Sequence, residues 1–273
     1  MACSTCLFWK SRVKFVIDFL IIYRYNIIVL GDELLYYNYT HNNKQGGEVM
    51  IYITGDTHGE LESFLDRLTP YELTTDDIVI ICGDFGFAWG DPYHNALLKE
   101  LSNKNFTICF VDGNHENFEF LNMHPIEENW HGGRIHRVEH NVIHFMRGQV
   151  YEIEGKSFFT FGGAYSRDKY MRRKNVSWWE EELPSNEEYK TAISNLEKAG
   201  YRVDYVLTHQ IPLHIIGAMQ CNFDPHDCEL TGFLDWLYLD KLSFDKWFAG
   251  HWHINRSFDD DKMNILLDRV VII

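Results

Sequence analysis

Five short apolar runs, at residues 50–54, 78–82, 106–111, 203–207 and 247–249, each stop at a polar turn that carries an Asp, Asn or His. Runs this short and this apolar read as buried strands rather than helices. Helical spacing lies between them, at 61–68, 93–101, 186–199 behind a capping Ser185, and 231–242. Strand alternating with helix commits the chain to a layered α/β architecture. In open α/β sheets, sites gather at the carboxyl ends of strands, where these polar turns fall. Residues 134–161 alternate apolar and polar around Gly148 and Gly155, which predicts antiparallel hairpins, and 254–273 predicts a final hairpin turning at 259–262.

The five turns read Gly55-Asp56-Thr57-His58-Gly59, Gly83-Asp84, Gly113-Asn114-His115-Glu116, Thr208-His209 and Gly250-His251-Trp252-His253. Taken singly, an Asp or His after a strand is usually a capping or hydrogen-bonding residue. Together and in this order they point to a metal site. Two divalent cations held about 3.5 to 4 Å apart need hard oxygen and imidazole ligands, with one carboxylate placed to bridge. Asp-x-His sets two side chains on the same side of an extended turn, and His251-x-His253 repeats the device. Glycine beside each lets the backbone turn tightly and leaves room for close approach.

On these segments the chain, over residues 50–273, resembles the calcineurin-like metallophosphoesterase superfamily. The resemblance implies a four-layer αββα sandwich, two mixed sheets flanked by helices. It implies two divalent metal ions, manganese, iron or zinc. Asp56, His58 and His253 would hold one, Asp84 would bridge, and Asn114, His209 and His251 would complete the second. His115 would act near the leaving group as general acid or electrostatic stabiliser, since imidazole titrates near neutrality. A hydroxide held by the metals would attack phosphorus in line, making the protein a hydrolase of phosphomonoesters or phosphodiesters.

Protein Ser/Thr phosphatases of that superfamily carry an Asp-Arg-Gly shortly after the second segment, whose Arg grips phosphate. Here Asp84 is followed by Phe85-Gly86-Phe87-Ala88-Trp89-Gly90-Asp91. The reading therefore favours a small nucleotide or phosphometabolite as substrate, with a protein phosphatase as the alternative and a non-catalytic scaffold behind it. A substitute phosphate clamp is expected from the basic stretch after Gly162-Gly163, with Arg167 and Arg172 as candidates for bidentate binding and Trp178-Trp179 as a platform for a base.

The formal charge of −15 argues against an extended nucleic-acid surface, so a phosphorylated substrate must be drawn locally, as bound cations can do. Six scattered cysteines form no disulfide framework and fit a reducing, cytoplasmic setting. Cys3-x-x-Cys6 and Cys221 with Cys228 around His226 are at most zinc half-sites. His94, His124, His131, His136, His140, His144 and His214 match no ligand position. Nothing in the pattern fixes an oligomeric state.

Residues 1–49 are different in kind, with no period and with charges that nearly cancel. Their apolar run at 15–30 is interrupted by Asp18 and Arg24, which speaks against a membrane span. Gly46-Gly47-Glu48-Val49-Met50 can be encoded by a strong bacterial ribosome-binding sequence ahead of a start codon. We therefore expect residues 1–49 to be a poorly structured extension or an upstream read-through, with 50–273 as the catalytic domain. The intact mass of the native protein is expected to match a chain beginning at Met50; a mass that includes residues 1–49 overturns this.

Overall fold

The computed structural model describes residues 49–273 and, upstream, the backbone of two short antiparallel strands, β1 (Ile28–Leu30) and β2 (Glu33–Leu35). Expectations for the rest of residues 1–48, including Cys3 and Cys6, lie outside the described residues. From Val49 onward the chain forms one compact unit.

A seven-stranded sheet is built from β3 (Ile51–Thr54), β4 (Ile78–Cys82), β5 (Thr107–Val111), β6 (Ile126–Trp130), β7 (Gly133–Glu139), β8 (Val142–Phe145) and the terminal Val271–Ile272. Its centre, β3, β4, β5 and β8, is parallel; β6 and β7 at one edge and the terminal strand at the other are antiparallel. A six-stranded sheet holds β9 (Gln149–Ile153), β10 (Lys156–Phe161), β11 (Tyr205–Thr208), β12 (Lys246–Ala249), β13 (Arg256–Phe258) and β14 (Met263–Ile265), and it too is mixed. We label the terminal strand β15.

Two-residue alternation sorts the core into three layers. Ile78, Ile80 and Cys82 of β4 face Phe158, Leu207 and Phe248 of the other sheet. Val79 and Ile81, on the opposite face of the same strand, pack under Phe64 and Leu68 of α1 (Leu61–Leu68) and Leu98 and Leu101 of α2 (Pro92–Ser102). On the far side, Phe159, Phe161, Val206 and Trp247 pack with helices α4 (Asn186–Lys198), α5 (Leu213–Ala218) and α6 (Cys228–Trp236), while α3 (Phe118–Asn122) packs on the first sheet. Strands buried on both faces read as unbroken apolar runs for this reason. Each fully buried Phe or Ile contributes roughly 1.5–3 kcal/mol.

The two mixed sheets flanked by helices agree with the expected fold class. Ser185 caps α4 through a full capping box. Three local expectations are corrected. No hairpin turns at Gly148, because β8 and β9 lie in different sheets and the chain crosses between them at 146–148; alternation is the same whichever sheet a strand joins. The hairpin of β13 and β14 exists, but the chain then leaves it, and β15 pairs with β3 in the other sheet. The helix expected at 231–242 begins earlier, at Cys228, and ends at Trp236 in a π-helical turn, Leu237–Lys241. Among the described residues no helix is long and apolar enough to cross a membrane.

The crossover between the sheets is fastened by a buried polar cluster. Arg147 sends Nε (2.8 Å) and Nη2 to Asp112 Oδ2, and Nη2 also reaches Glu181 O at 2.7 Å. His144 Nε2 lies 3.2 Å from Asp112 Oδ1, and His136 Nδ1 lies 3.2 Å from His144 Nδ1. Burial alone would raise the Asp112 carboxyl; Arg147 and His144 outweigh it and hold it at about 2. Burial, with His144 nearby, pushes His136 down to about 4.

Arg147→Met is expected to cost roughly 3–5 kcal/mol, because it strands a buried carboxylate, and a shift of the denaturant midpoint checks it. His136 is harder to protonate folded than unfolded, so stability should fall as pH drops from about 6.5 towards about 4; His136→Gln should flatten that limb. Loss of the Asp112 contribution follows only at lower pH, between about 3.9 and about 2.

Candidate metal centre

Each of the five polar turns is fixed by another. The backbone N–H groups of Thr57 and His58 donate to Asp84 O at 3.1 and 2.8 Å, and Gly59 donates to Phe85 O at 3.1 Å. Glu116, fully buried, accepts from Phe85 N at 2.7 Å and Gly86 N at 3.4 Å, tying the third turn to the second. His115 N donates to Asp84 Oδ1 at 2.8 Å, and His251 N to Asp56 Oδ1 at 3.0 Å. Arg67 of α1 holds the first turn from below, through Asp56 O (2.8 Å) and Leu267 O (2.6 Å).

The ligating atoms of Asp56, His58, Asp84 and His253 all lie within 4.8 Å of one another. His253 Nε2 is 3.1 Å from Asp56 Oδ2, and His58 Nε2 is 3.7 Å from both Asp56 Oδ2 and Asp84 Oδ2. Beside them, His209 Nε2 is 3.3 Å from Asp84 Oδ1 and 3.1 Å from Asn114 Oδ1, and the His251 ring lies edge-on to His209 at 4.9 Å. Asp84 therefore borders both groups, one oxygen towards each.

Three features of this arrangement fit divalent cations. Hard oxygen and imidazole donors converge. Asp56 and Asp84 are buried, yet among the described residues their ion-pair partners are all histidines and none is a lysine or arginine. Finally, His58 Nε2 and His253 Nε2 face each other at 3.0 Å, a spacing at which two lone pairs need a proton or a cation between them. Orientation is also set: His209 Nδ1 donates to Cys82 O at 2.9 Å, leaving Nε2 as the donor atom, and Asn114 Nδ2 donates to Ser166 Oγ at 3.0 Å, turning Oδ1 inward.

The titration pattern has the same origin. Burial opposes charge on Asp84, but His209, His115 and His58 hold its carboxyl well below the usual range. Burial would lower His209, yet Asp84 and Asp56 push it up to about 10. Its neighbour His251, buried and repelled by His209, falls to about 3. A cation held by His209 Nε2 would take the place of its proton.

Backbone conformation is spent on the site. His58, Asp84, His251 and His253 have φ of 47, 48, 67 and 50°, a left-handed region costly to residues with a Cβ. The adjoining glycines give way instead: a Cβ on Gly83 would overlap the His209 ring, on Gly113 the Asp84 carboxylate, and on Gly250 that of Asp56.

His115 sits edge-on to His58 at 5.2 Å, and Arg172 Nη2 reaches its ring nitrogens at 2.7 and 2.9 Å. Arg167 is placed elsewhere, donating to Asn222 O at 2.7 Å and lying 5.9 Å from the Trp252 ring. Trp179 is 4% exposed and packs on Trp89 at 5.7 Å, so it cannot serve as a stacking platform for a base. Trp178 lies under Lys169 and Lys174. Cys221 and Cys228 are free, and His226 stacks on Tyr165 and pairs with Asp224, so no metal cluster forms there among the described residues.

Several supporting residues went unassigned in the sequence. Asp227, raised to about 6 by burial, accepts from Tyr165 N (2.8 Å) and Gln210 Nε2 (2.7 Å), and Gln210 Oε1 accepts from Trp252 Nε1 (2.8 Å). That chain braces both histidine turns. Only Gln210 had a signal, its place next to His209.

The family model for calcineurin-like phosphoesterases matches residues 49–255. No curated protein matches the sequence. Among solved structures, similarity is found to a candidate 5′-nucleotidase from Staphylococcus aureus (12% identity, 82% of this chain and 50% of that one, TM-score 0.43). It is found also to phosphopantetheinyl hydrolase from Mycobacterium tuberculosis (17%, 81% and 89%, TM-score 0.41). A protein serine/threonine phosphatase from Saccharomyces cerevisiae is a third (13%, 82% and 69%, TM-score 0.36). The chain spans half the length of the first of these.

Gly113→Ala tests the construction, since φ at Gly113 is not positive and only the Cβ intrudes on Asp84. At a manganese concentration of about 100 times Kd the wild-type fold should gain about 2.7 kcal/mol. The gain should be largely lost in Gly113→Ala and Asp84→Asn, as read by thermal melts with and without metal.

Proposed function

Because the chain belongs to the calcineurin-like phosphoesterase family, a set of hydrolases acting on phosphoester bonds, we propose that it is a dinuclear metal-dependent phosphoesterase acting on a small nucleotide or phosphometabolite. The observation that carries this reading is the convergence of five strand ends on one pair of buried carboxylates, with Asp84 shared between two donor groups. Asp56, His58 and His253 would hold one cation and Asn114, His209 and His251 the other, with Asp84 common to both. Manganese, iron and zinc suit these donors. Bound cations here supply a lowered water pKa and neutralise phosphate oxygens.

The chain's own residues do the rest. Glu116 and the backbone N–H of His115 in the third turn hold Asp84 in place, and His115, edge-on to His58, would meet the leaving oxygen. Protein phosphatase activity is disfavoured by the turn after Asp84, where Phe85, Phe87 and Ala88 are fully buried and offer no guanidinium.

Metal-stripped protein reloaded with manganese should hydrolyse members of a panel of phosphomonoesters, phosphodiesters and nucleotides better than phosphopeptides. Asp84→Asn should lower kcat/KM by about 10²–10³-fold or more, and His115→Asn by about 10²–10⁴-fold in kcat. Turnover that ignores metal and survives Asp84→Asn would remove the reading.

A further inference from the structure

We propose that Arg172 is a positioning residue for His115 on the leaving-group side, and not a clamp on the transferred phosphate. The inference deepens the phosphoesterase reading and rests on it. Arg172 lies in the long connection between β10 and α4, which carries none of the metal-site residues, yet its side chain is only 12% exposed. A guanidinium has five N–H groups, and a bidentate grip on phosphate takes two on one edge, either Nε with Nη2 or Nη1 with Nη2. Here Nε donates to Asp168 Oδ2 at 2.8 Å, and Nη1 to Ser177 O at 3.3 Å and Ser166 Oγ at 3.5 Å. Nη2 is turned onto His115. Each bidentate edge thus already has a committed member. The guanidinium is anchored, and what it presents goes to an imidazole.

Two consequences follow for His115. Arg172 Nη2 lies within 2.9 Å of both ring nitrogens, so the guanidinium is seated against the imidazole as a whole and fixes where the ring sits. Ser166, bonded to Arg172, also receives Asn114 Nδ2 at 3.0 Å, so the same connection sets the two adjacent residues of the third turn. In hydrolysis the attacking water bonds to phosphorus and the bond from phosphorus to the ester oxygen breaks, its electron pair staying on that oxygen. The proton given up by the water completes the alcohol. An imidazole N–H held in place by Arg172 stabilises the departing oxygen in the interval. Its effect must therefore grow with the basicity of the leaving group.

The test compares wild type, Arg172→Ala, Arg172→Lys and His115→Asn on p-nitrophenyl phosphate, whose leaving group needs little help, and on an alkyl phosphate, whose leaving group needs much. Arg172→Ala should lower kcat on the alkyl ester by about 10²-fold and on the nitrophenyl ester by less than about threefold, with KM little changed and metal content intact. Arg172→Lys should recover part of the loss, and in Arg172→Ala/His115→Asn the two effects should fail to add. Equal losses on both esters, or a loss carried by KM, overturn the proposal: the first is what misfolding gives and the second what a phosphate clamp gives. Wild type inactive on both esters under every metal would instead bring down the phosphoesterase reading, and this inference with it.

Discussion

Asp56 and Asp84 leave water at the carboxyl ends of two neighbouring parallel strands, each about 1% exposed, and burying an unpaired carboxylate is among the most expensive things a fold can do. No lysine or arginine meets them in an ion pair among the described residues; histidines from the first, fourth and fifth turns do. The parallel centre of one sheet brings β3, β4 and β5 side by side, and the parallel run of the other brings β11 and β12 opposite. Sheet packing, backbone lashing between turns and the left-handed ligand positions all bear on keeping that charge where a cation can neutralise it.

Supports around the centre fall into two mechanical kinds. Below it, apolar layers on both faces of each sheet fix the strand ends without regard to their chemistry. Around it, polar groups fix the turns: Glu116 on the second, Arg67 on the first, the Asp227 and Gln210 chain on the last two. The buried pair of Asp112 and Arg147 joins them at the crossover between the sheets, one residue before Gly113. Replacing any of these with an apolar group of like size would leave the core filled and the turns unheld.

The connection from β10 to α4 adds an asymmetry. The last turn is held by its neighbour, the Trp252 indole being bonded to Gln210. The third is held from a segment far along the chain, by Arg172 and Ser166. Charge in that segment is largely spent internally, as in the pairs of Lys169 with Glu182 and Arg172 with Asp168. Part of the basic cluster in the sequence is thus neutralised within the fold.

Local physics was legible in the sequence. Strands buried on both faces have to be apolar throughout, so 78–82 and its relatives stood out; Ser185 announced a helix start because capping is a matter of three residues; and glycine next to Asp56, Asp84, Asn114 and His251 marked tight turns. What alternation cannot carry is the choice of partner. It made β8 and β9 look like a hairpin, and it gave no hint that β15 returns to β3. The same holds for Trp179, apolar enough for either a core or a platform until packing on Trp89 placed it in the core. Residue types and their spacing thus determined which side chains are able to bind a cation and on which turns they sit. Only tertiary structure decided that Asp84 borders both donor groups, that Asp227 braces two of the turns, and that Arg172 points at His115 while Arg167 does not, because contacts between residues far apart in the chain depend on sheet order and crossover geometry, which no local window contains.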